Sequence, residues 1–388
     1  MDFFDRFENI TLTSLNRSVT TTKYVDFGTG QVLVNFTAVD RGSGSPGIAA
    51  VQKFHDLCEE KGYGNMTTPG YWNLPPGPDI PDDLLLSLGE FVKKYEIEAM
   101  LPIVYPSTGG GVGSRGPFLD LLMFTFLKAF PPAWAKAMLG TVPTKAVEGG
   151  NQLLYNAIGR ELGDENVLYK SVVLDVERSD GSVKVMVGTA TGQKLIKAKR
   201  LLVAIQATRE NLEPFDLDEQ ETVHFSKPKY GRSNIGIITH SKLENGVTYR
   251  HVPTGATPLA PFAVPPFVMS LGNLPPTNLF RVGASGPWET FDTVAAQAMV
   301  QVVIEKMAAQ RTIPNTAGEK LVAVAWEEHG ASGFGVSAED MRAGFMEDMY
   351  KMQGKKSTWW TGEGVAADFS TILWAFNEDL TKRMVEDM

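Results

Sequence analysis

The chain has 388 residues, of which 43% are hydrophobic and 10% aromatic, enough apolar material to bury the cores of more than one domain and to exclude global disorder. A formal net charge of −9 excludes nucleic acid as the main partner, because recognition of a phosphate backbone needs clustered Lys and Arg. The single cysteine, Cys58, excludes an intramolecular disulfide and any zinc site built on paired thiolates.

The first residues, Met-Asp-Phe-Phe-Asp-Arg-Phe, have no basic stretch followed by an apolar core. They are not read as a signal peptide, so a cytoplasmic location is the default expectation. Two β-rich runs, 18–27 and 31–38, meet at Gly28-Thr29-Gly30 like a hairpin and predict a small antiparallel sheet. Loops rich in Gly and Pro at 42–47 and 75–78 bracket a helix over 48–62, which carries His55 and Cys58. Cys58 is read as a packing residue, since no third group can be identified that would orient a catalytic dyad.

Over residues 84–95 the apolar positions Leu84, Leu85, Leu88, Phe91 and Val92 follow a helical period, with acids ahead of them and Lys93-Lys94 at the end. One helix is predicted there. Residues 101–105 read as a strand and 118–130 as an apolar helix stopped by Pro131-Pro132, so 48–140 is expected to form a helical subdomain. Between them, Gly111-Val112-Gly113-Ser114-Arg115-Gly116 is formally G-x-G-x-x-G. A dinucleotide site also requires a tight strand-to-helix turn and an acid about 20 positions on for the ribose. Pro117 follows directly and no acidic strand end lies within 131–140, so the segment reads as a loop of a substrate domain.

From residue 149 the pattern changes to a helix at 151–162, a strand at 167–177, a turn at Ser179-Asp180-Gly181-Ser182, a return strand at 183–189 and a short buried strand at 200–205. Residues 206–345 alternate strand-like pieces with Pro-rich loops around one helix at 291–310, which predicts a second, mixed sheet. The segment 359–373 reads as a glycine turn followed by a helix. No apolar run reaches the roughly 18 residues of a membrane span. His224, His240, His251 and His329 lack the spacing of metal ligands, and no metal site is predicted.

Several of these segments resemble the flavin-containing amine oxidase superfamily. Glu148-Gly149-Gly150-Asn151-Gln152-Leu153-Leu154, the strand pair after it and Leu201-Leu202-Val203-Ala204-Ile205 are similar to that superfamily's Gly-Gly, helix, strand, strand succession. Thr361-Gly362-Glu363 resembles its Ala-Gly-Glu. Thr22 through Phe27, Gly89 through Tyr95, Lys194-Leu195-Ile196 and Ala338 through Phe345 occur in the order and spacing of the fungal β-cyclopiazonate dehydrogenase-like branch. That resemblance covers most of the chain.

The resemblance implies an α/β fold of the FAD-linked oxidase type. Its FAD-binding domain would be split over 1–40, 141–206 and 346–388, with a helical substrate subdomain at 41–140 and a mixed-sheet substrate domain at 207–345. It implies FAD contacts at Gly149 and Gly150, at Val173 through backbone groups near the adenine end, and at Gly362 and Glu363 near the ribityl and pyrophosphate region. The helix starting at Ser370, Thr371 and Ile372 would direct its N-terminus at the flavin edge where negative charge develops on reduction. Trp359 and Trp360 either border the flavin ring or belong to the core, and His329 falls on the implied substrate side. The implied reaction is hydride transfer from a small, largely apolar metabolite, an amine among the candidates, to flavin N5. No catalytic side chain is assigned, because oxidation of a neutral amine by flavin requires no obligatory protein base.

Two departures accompany the likeness. The family opens with a strand, G-x-G-x-x-G, a helix and a ribose-binding Glu, and Met1 corresponds to a point after that unit, so the chain is expected to lack it. Gln206 stands where the family has Pro. The alternative reading is a flavin-free ligand-binding or scaffold protein using the same cavity, or a pocket that acts without redox change. Substrate, electron acceptor and oligomeric state are open at this stage.

Overall fold

A computed structural model describes residues 3–7, 9–14, 20–109, 115–141, 145–366 and 369–386. Its strands, in chain order, are β1 (Leu12–Ser14), β2 (Thr21–Asp26), β3 (Gln31–Val32), β4 (Lys145–Val147), β5 (Val172–Ser179), β6 (Ser182–Thr189), β7 (Gly192–Ala198), β8 (Leu201–Val203), β9 (Lys229–Thr239), β10 (Val247–His251), β11 (Phe267–Asn273), β12 (Phe280–Pro287), β13 (Val322–Gly335) and β14 (Thr358–Trp360). They form a seven-stranded sheet ordered β13-β9-β12-β11-β10-β2-β3, a three-stranded meander β5-β6-β7, and the pairs β14-β8 and β1-β4.

The seven-stranded sheet is antiparallel except where β2 runs parallel to β10, from Thr21 opposite Val247 to Val25 opposite His251. One face is covered by the helix Thr293–Ala309, whose Val300, Ile304 and Met307 pack on Val25, Tyr249, Leu271 and Phe280. Asp292 caps that helix by accepting the N–H of Ala295. The hairpin expected at Gly28-Thr29-Gly30 is present, with Val25 opposite Val32. It is no separate small sheet, however, but the edge of the large one. A parallel partner more than 220 residues away leaves no mark on local sequence, whereas a hairpin does.

The helical layer is built around Pro46–Glu60, capped by Ser45, whose hydroxyl accepts from Ile48 N. That helix buries Phe54 against Phe126 and Phe130, at ring separations of 6.1 and 5.6 Å, and encloses Cys58 completely. Burial pushes the Cys58 thiol up, consistent with an inert packing role. Three expectations fail in this layer. Residues 84–95 are not one helix but a 3₁₀ turn, Asp82–Leu85, followed by the helix Leu88–Lys94. Residues 118–130 likewise divide into a 3₁₀ turn, Phe118–Asp120, and the helix Met123–Ala129. Both breaks have one cause: Leu88 N–H donates to Leu121 O at 2.7 Å and Met123 N–H to Leu86 O at 2.9 Å, so a short antiparallel bridge interrupts both segments at once. Ser87 and Glu90 then restart the first helix with a capping box. Residues 101–105 belong to a helix, Leu101–Thr108, rather than a strand. An apolar run buried all round shows neither period.

The remaining layer holds the pieces that shape the candidate site. The helix Gln152–Leu162 packs through Leu154 and Ala157 near Trp374 of the helix Ser370–Glu386. The meander follows, its first strand starting at Val172 after a left-handed residue, Lys170. The guanidinium of Arg178, with 0% of its side chain exposed, pins the meander to the segment beyond it. It donates to both carboxylate oxygens of Glu221 at 2.8 and 2.9 Å and to Asp216 Oδ1 at 2.6 Å. Ser357, just before β14, accepts from Gly181 N and donates to Ser179 O, which ties the meander turn to the strand leading into the site.

Candidate functional site

β14 runs parallel to β8, and the pairing continues one residue further because Thr361 N–H donates to Val203 O at 2.9 Å. Gly362 then takes φ +103°, a backbone conformation that strains any residue with a side chain. The turn delivers Glu363 to the ends of two other strands. Its Oε1 accepts from the N–H of Phe334 at the end of β13, at 2.8 Å, and its Oε2 from the side-chain amide of Gln206 beyond β8, at 2.5 Å. Its backbone carbonyl accepts from Lys128 Nζ.

Lys128 is 1% exposed, deep in the helix Met123–Ala129, and its Nζ sits 4.1 Å from the centroid of the Phe334 ring. A buried ammonium over an aromatic face is stabilised by the ring quadrupole in a setting that water does not weaken. Sequence reasoning passed over Lys128, although a lone cation inside Phe-Thr-Phe-Leu-Lys-Ala-Phe was the available signal. In the sequence, Gln206 stands out only as a departure from the family's Pro. Proline could not supply the amide that holds Glu363.

Beside this turn lies a cavity of about 20 Å³ whose walls include His224, Tyr230, Phe345, Trp360 and Gly364. That is space for about one water molecule. His224 Nε2, Tyr230 Oη and Trp360 Nε1 are buried without hydrogen-bond partners among the described residues, so three polar atoms border one small space. Burial and the nearby Glu363 carboxylate hold the Tyr230 hydroxyl above its ordinary range. The His224 ring stacks on Phe345 at 4.1 Å, and burial, helped by Lys227, pulls its imidazole down to about 4. As pH falls below the ordinary histidine value, the unfolded chain takes up this proton while the folded chain does not, and stability is lost between about pH 6.5 and 4. Urea unfolding at pH 7 and pH 4.5 should show the wild type losing roughly 2–3 kcal/mol more than His224→Phe, which keeps the stack but cannot titrate. Equal acid losses in the two proteins would refute this account.

Other site residues singled out from sequence are placed as follows. Trp359 and Trp360 are both in the core, Trp360 with its ring 4.7 Å from Phe225. Gly149 and Gly150, at φ +80° and +105°, form the exposed turn before the helix Gln152–Leu162. Val173 is half-buried on β5 opposite Val187. Ser370 and Thr371 are exposed at the start of their helix and Ile372 is buried. His329 is exposed on β13, within the irregularity between Glu328 and Ala331. Gly111 through Ser114 lie outside the described residues. Among the described residues no group of His, Cys, Asp and Glu is suited to a metal ion, and no helix is long and apolar enough to cross a membrane.

These residues offer chemistry that a flavin would use. A Cβ built on Gly362 would find only Ala204 O, at 3.8 Å, and one built on Gly150 would meet nothing within 4 Å, so both backbones face open space. The 17-residue helix Ser370–Glu386 offers the positive end of its dipole, and Glu363 retains acceptor capacity for hydroxyl groups. Anion stabilisation, hydroxyl acceptance and close backbone approach are what an isoalloxazine with a ribityl chain requires.

No family model matches the chain. Among solved structures, the conjugated-linoleic-acid-producing fatty acid isomerase from P. acnes superposes with a TM-score of 0.68 at 19% identity, covering 96% of this chain and 81% of that one. A redesigned putrescine oxidase superposes at 0.56 and 12% identity, covering 97% and 83%. The fold is therefore that of the FAD-linked amine oxidases, and the α/β expectation holds. The β-cyclopiazonate dehydrogenase of Aspergillus oryzae is 30% identical over 367 residues, 93% of this chain and 74% of the relative. An FAD-dependent oxidoreductase of Apiospora sacchari is 28% identical over 384 residues, 96% and 76%. The chain belongs to the β-cyclopiazonate dehydrogenase-like family of FAD-dependent oxidoreductases.

Proposed function

We propose that this chain holds FAD against Gly362, Glu363 and the start of the helix Ser370–Glu386, and oxidises a small, largely apolar metabolite of secondary metabolism, an amine being one candidate. When bound, FAD supplies the two-electron acceptor that takes a hydride from a substrate C–H at N5. The chain's own residues do the positioning. The helix N-terminus favours negative charge, Glu363 is fixed as an acceptor by Phe334 and Gln206, and Lys128 locks the backbone of the turn. The aromatic and apolar residues packed around the turn limit its contact with water, which strengthens these interactions.

The observation that carries this reading is the convergence of Gln206, Phe334 and Lys128 on Glu363 directly after a positive-φ glycine. Incubating the purified chain with FAD should leave an absorbance band near ~450 nm that survives desalting. A desalted chain with no flavin band would overturn the reading.

A further inference from the structure

A cavity of about 330 Å³ opens between the segment that follows Gly70 and the two helices ahead of β14, Ala338–Arg342 and Phe345–Lys351. That volume falls in the range of small-molecule sites, roughly 300–1,000 Å³. Tyr71, Trp72 and Leu74 line it from the loop side, and Met341, Met346 and Tyr350 from the helix side. The Trp72 ring stands edge-on to Tyr350 with centroids 4.3 Å apart, and the Arg383 guanidinium lies 4.1 Å from its own centroid, so this wall is held in place without a ligand. None of the lining residues belongs to the seven-stranded sheet or to the small cavity beside Glu363.

Charge limits what this cavity selects. Its charged side chains among the described residues, Glu347 and Lys351, pair with each other at 2.7 Å. The pair offers no net charge to an ion, whereas aromatic rings and methionine side chains adapt to a flat apolar molecule. Tyr350 also reaches the turn that presents Glu363. Its hydroxyl accepts from Tyr71 N–H at 2.6 Å and donates to Val365 O at 2.8 Å, while Tyr71 Oη donates to Ala366 O at 3.4 Å and Gly70 bridges to Ala366. Burial pushes the Tyr350 phenol above its ordinary range, so the proton it donates stays in place. The contact has no slack: a Cβ on Gly70 would stand 2.8 Å from Tyr350 Oη and 2.5 Å from the Phe376 ring. One side chain thus lines the cavity and holds the backbone two residues beyond Glu363.

We infer that this cavity is a second ligand site, for an uncharged, flat and largely apolar molecule, and that its occupancy is transmitted through the Tyr350 hydroxyl to the turn 362–366. A ligand packed against Tyr350 restricts that side chain, its hydrogen bonds to Val365 O and Tyr71 N–H fluctuate less, and the turn is ordered before it meets FAD. Ligand and FAD then strengthen each other's binding, because coupling between two sites is reciprocal. That last consequence rests on the reading that the turn holds FAD, and the site itself does not.

Two measurements on the purified chain test it with N-phenyl-1-naphthylamine, an uncharged aromatic probe that fluoresces in apolar surroundings. Leu74→Trp, which fills the cavity from the loop side, should weaken probe binding ~10-fold or more. Pro76→Trp, at an exposed position of the same wall, replaces it if that variant does not fold. The N–H groups of Val365 and Ala366 both donate to Gly362 O, so their hydrogen exchange reports on the closure of the turn. Saturating probe should slow that exchange about threefold or more in the wild type. Tyr350→Phe keeps the ring and loses both hydrogen bonds, so it should bind the probe within about twofold of wild type and show no slowing. Unchanged affinity in the filled variant means that the probe sits elsewhere and overturns the site, and slowing that survives in Tyr350→Phe overturns the transmission. Neither readout requires flavin, so a chain that fails to retain FAD still answers both, and the two readings fail separately.

Discussion

In Glu363→Ala the affinity for FAD is expected to fall by roughly 10- to 100-fold, the equivalent of one or two lost charge-assisted hydrogen bonds. The same change leaves the Phe334 N–H and the Gln206 amide without their acceptor in a half-buried setting, so it also destabilises the fold by roughly 1–3 kcal/mol. Glu363→Gln separates the two effects. Its side chain is the same size, but only one of its two terminal atoms accepts, so it satisfies only one of the two donors. It should fall between wild type and alanine in both equilibrium FAD titration and urea unfolding. Wild-type FAD affinity in the alanine variant would remove Glu363 from the site.

Arg178→Ala should give the largest loss of stability among the substitutions considered. Burial opposes the charge of Arg178, yet the carboxylates of Glu221 and Asp216 hold its guanidinium above its ordinary value. Removing it leaves Glu221, whose side chain is 1% exposed, with the Asp218 N–H at 3.0 Å and Lys356 Nζ at 3.6 Å but no guanidinium to balance its charge. Breaking a buried pair from one side costs about 3–5 kcal/mol, which for a chain of this length lowers the melting midpoint by roughly 4–6 °C. Calorimetry would decide it, and a shift under about 1 °C would mean that the pair is not buried in solution. Arg178→Met, tested beside Glu221→Leu in the same chain, should recover much of the loss, because replacing a whole buried pair with apolar groups avoids the stranded charge.

The parts of the fold legible in the sequence were those dictated by near neighbours. The meander turn, the helix Gln152–Leu162 and the helix Thr293–Ala309 came out within a few residues, because turn residues and helical period are local signals. The bridge between Leu86–Ser87 and Leu121–Met123 was not legible: both segments carry helical patterns, and only their mutual hydrogen bonds break them. The site divides along the same line. Gly362 and Glu363 stand in a recognisable run of residues, whereas Lys128, Phe334 and Tyr230 enter through tertiary contact and carry no motif. Gln206 is the informative intermediate case. The sequence marked it as unusual, and the carboxylate it binds supplies the reason.

The Glu363 junction also bears on how the chain comes to be folded. Its three donors lie 235, 157 and 29 residues ahead of it, so two of the three contacts close very long loops and carry a correspondingly high entropic toll before any bond forms. A chain made from its N-terminus presents Lys128, Gln206 and Phe334 first and must hold them, with their aromatic neighbours uncovered, until the last strand and its glycine turn emerge. The residues that converge on Glu363 are thus also the ones that leave a nascent or prematurely terminated chain exposed to chaperone capture or aggregation.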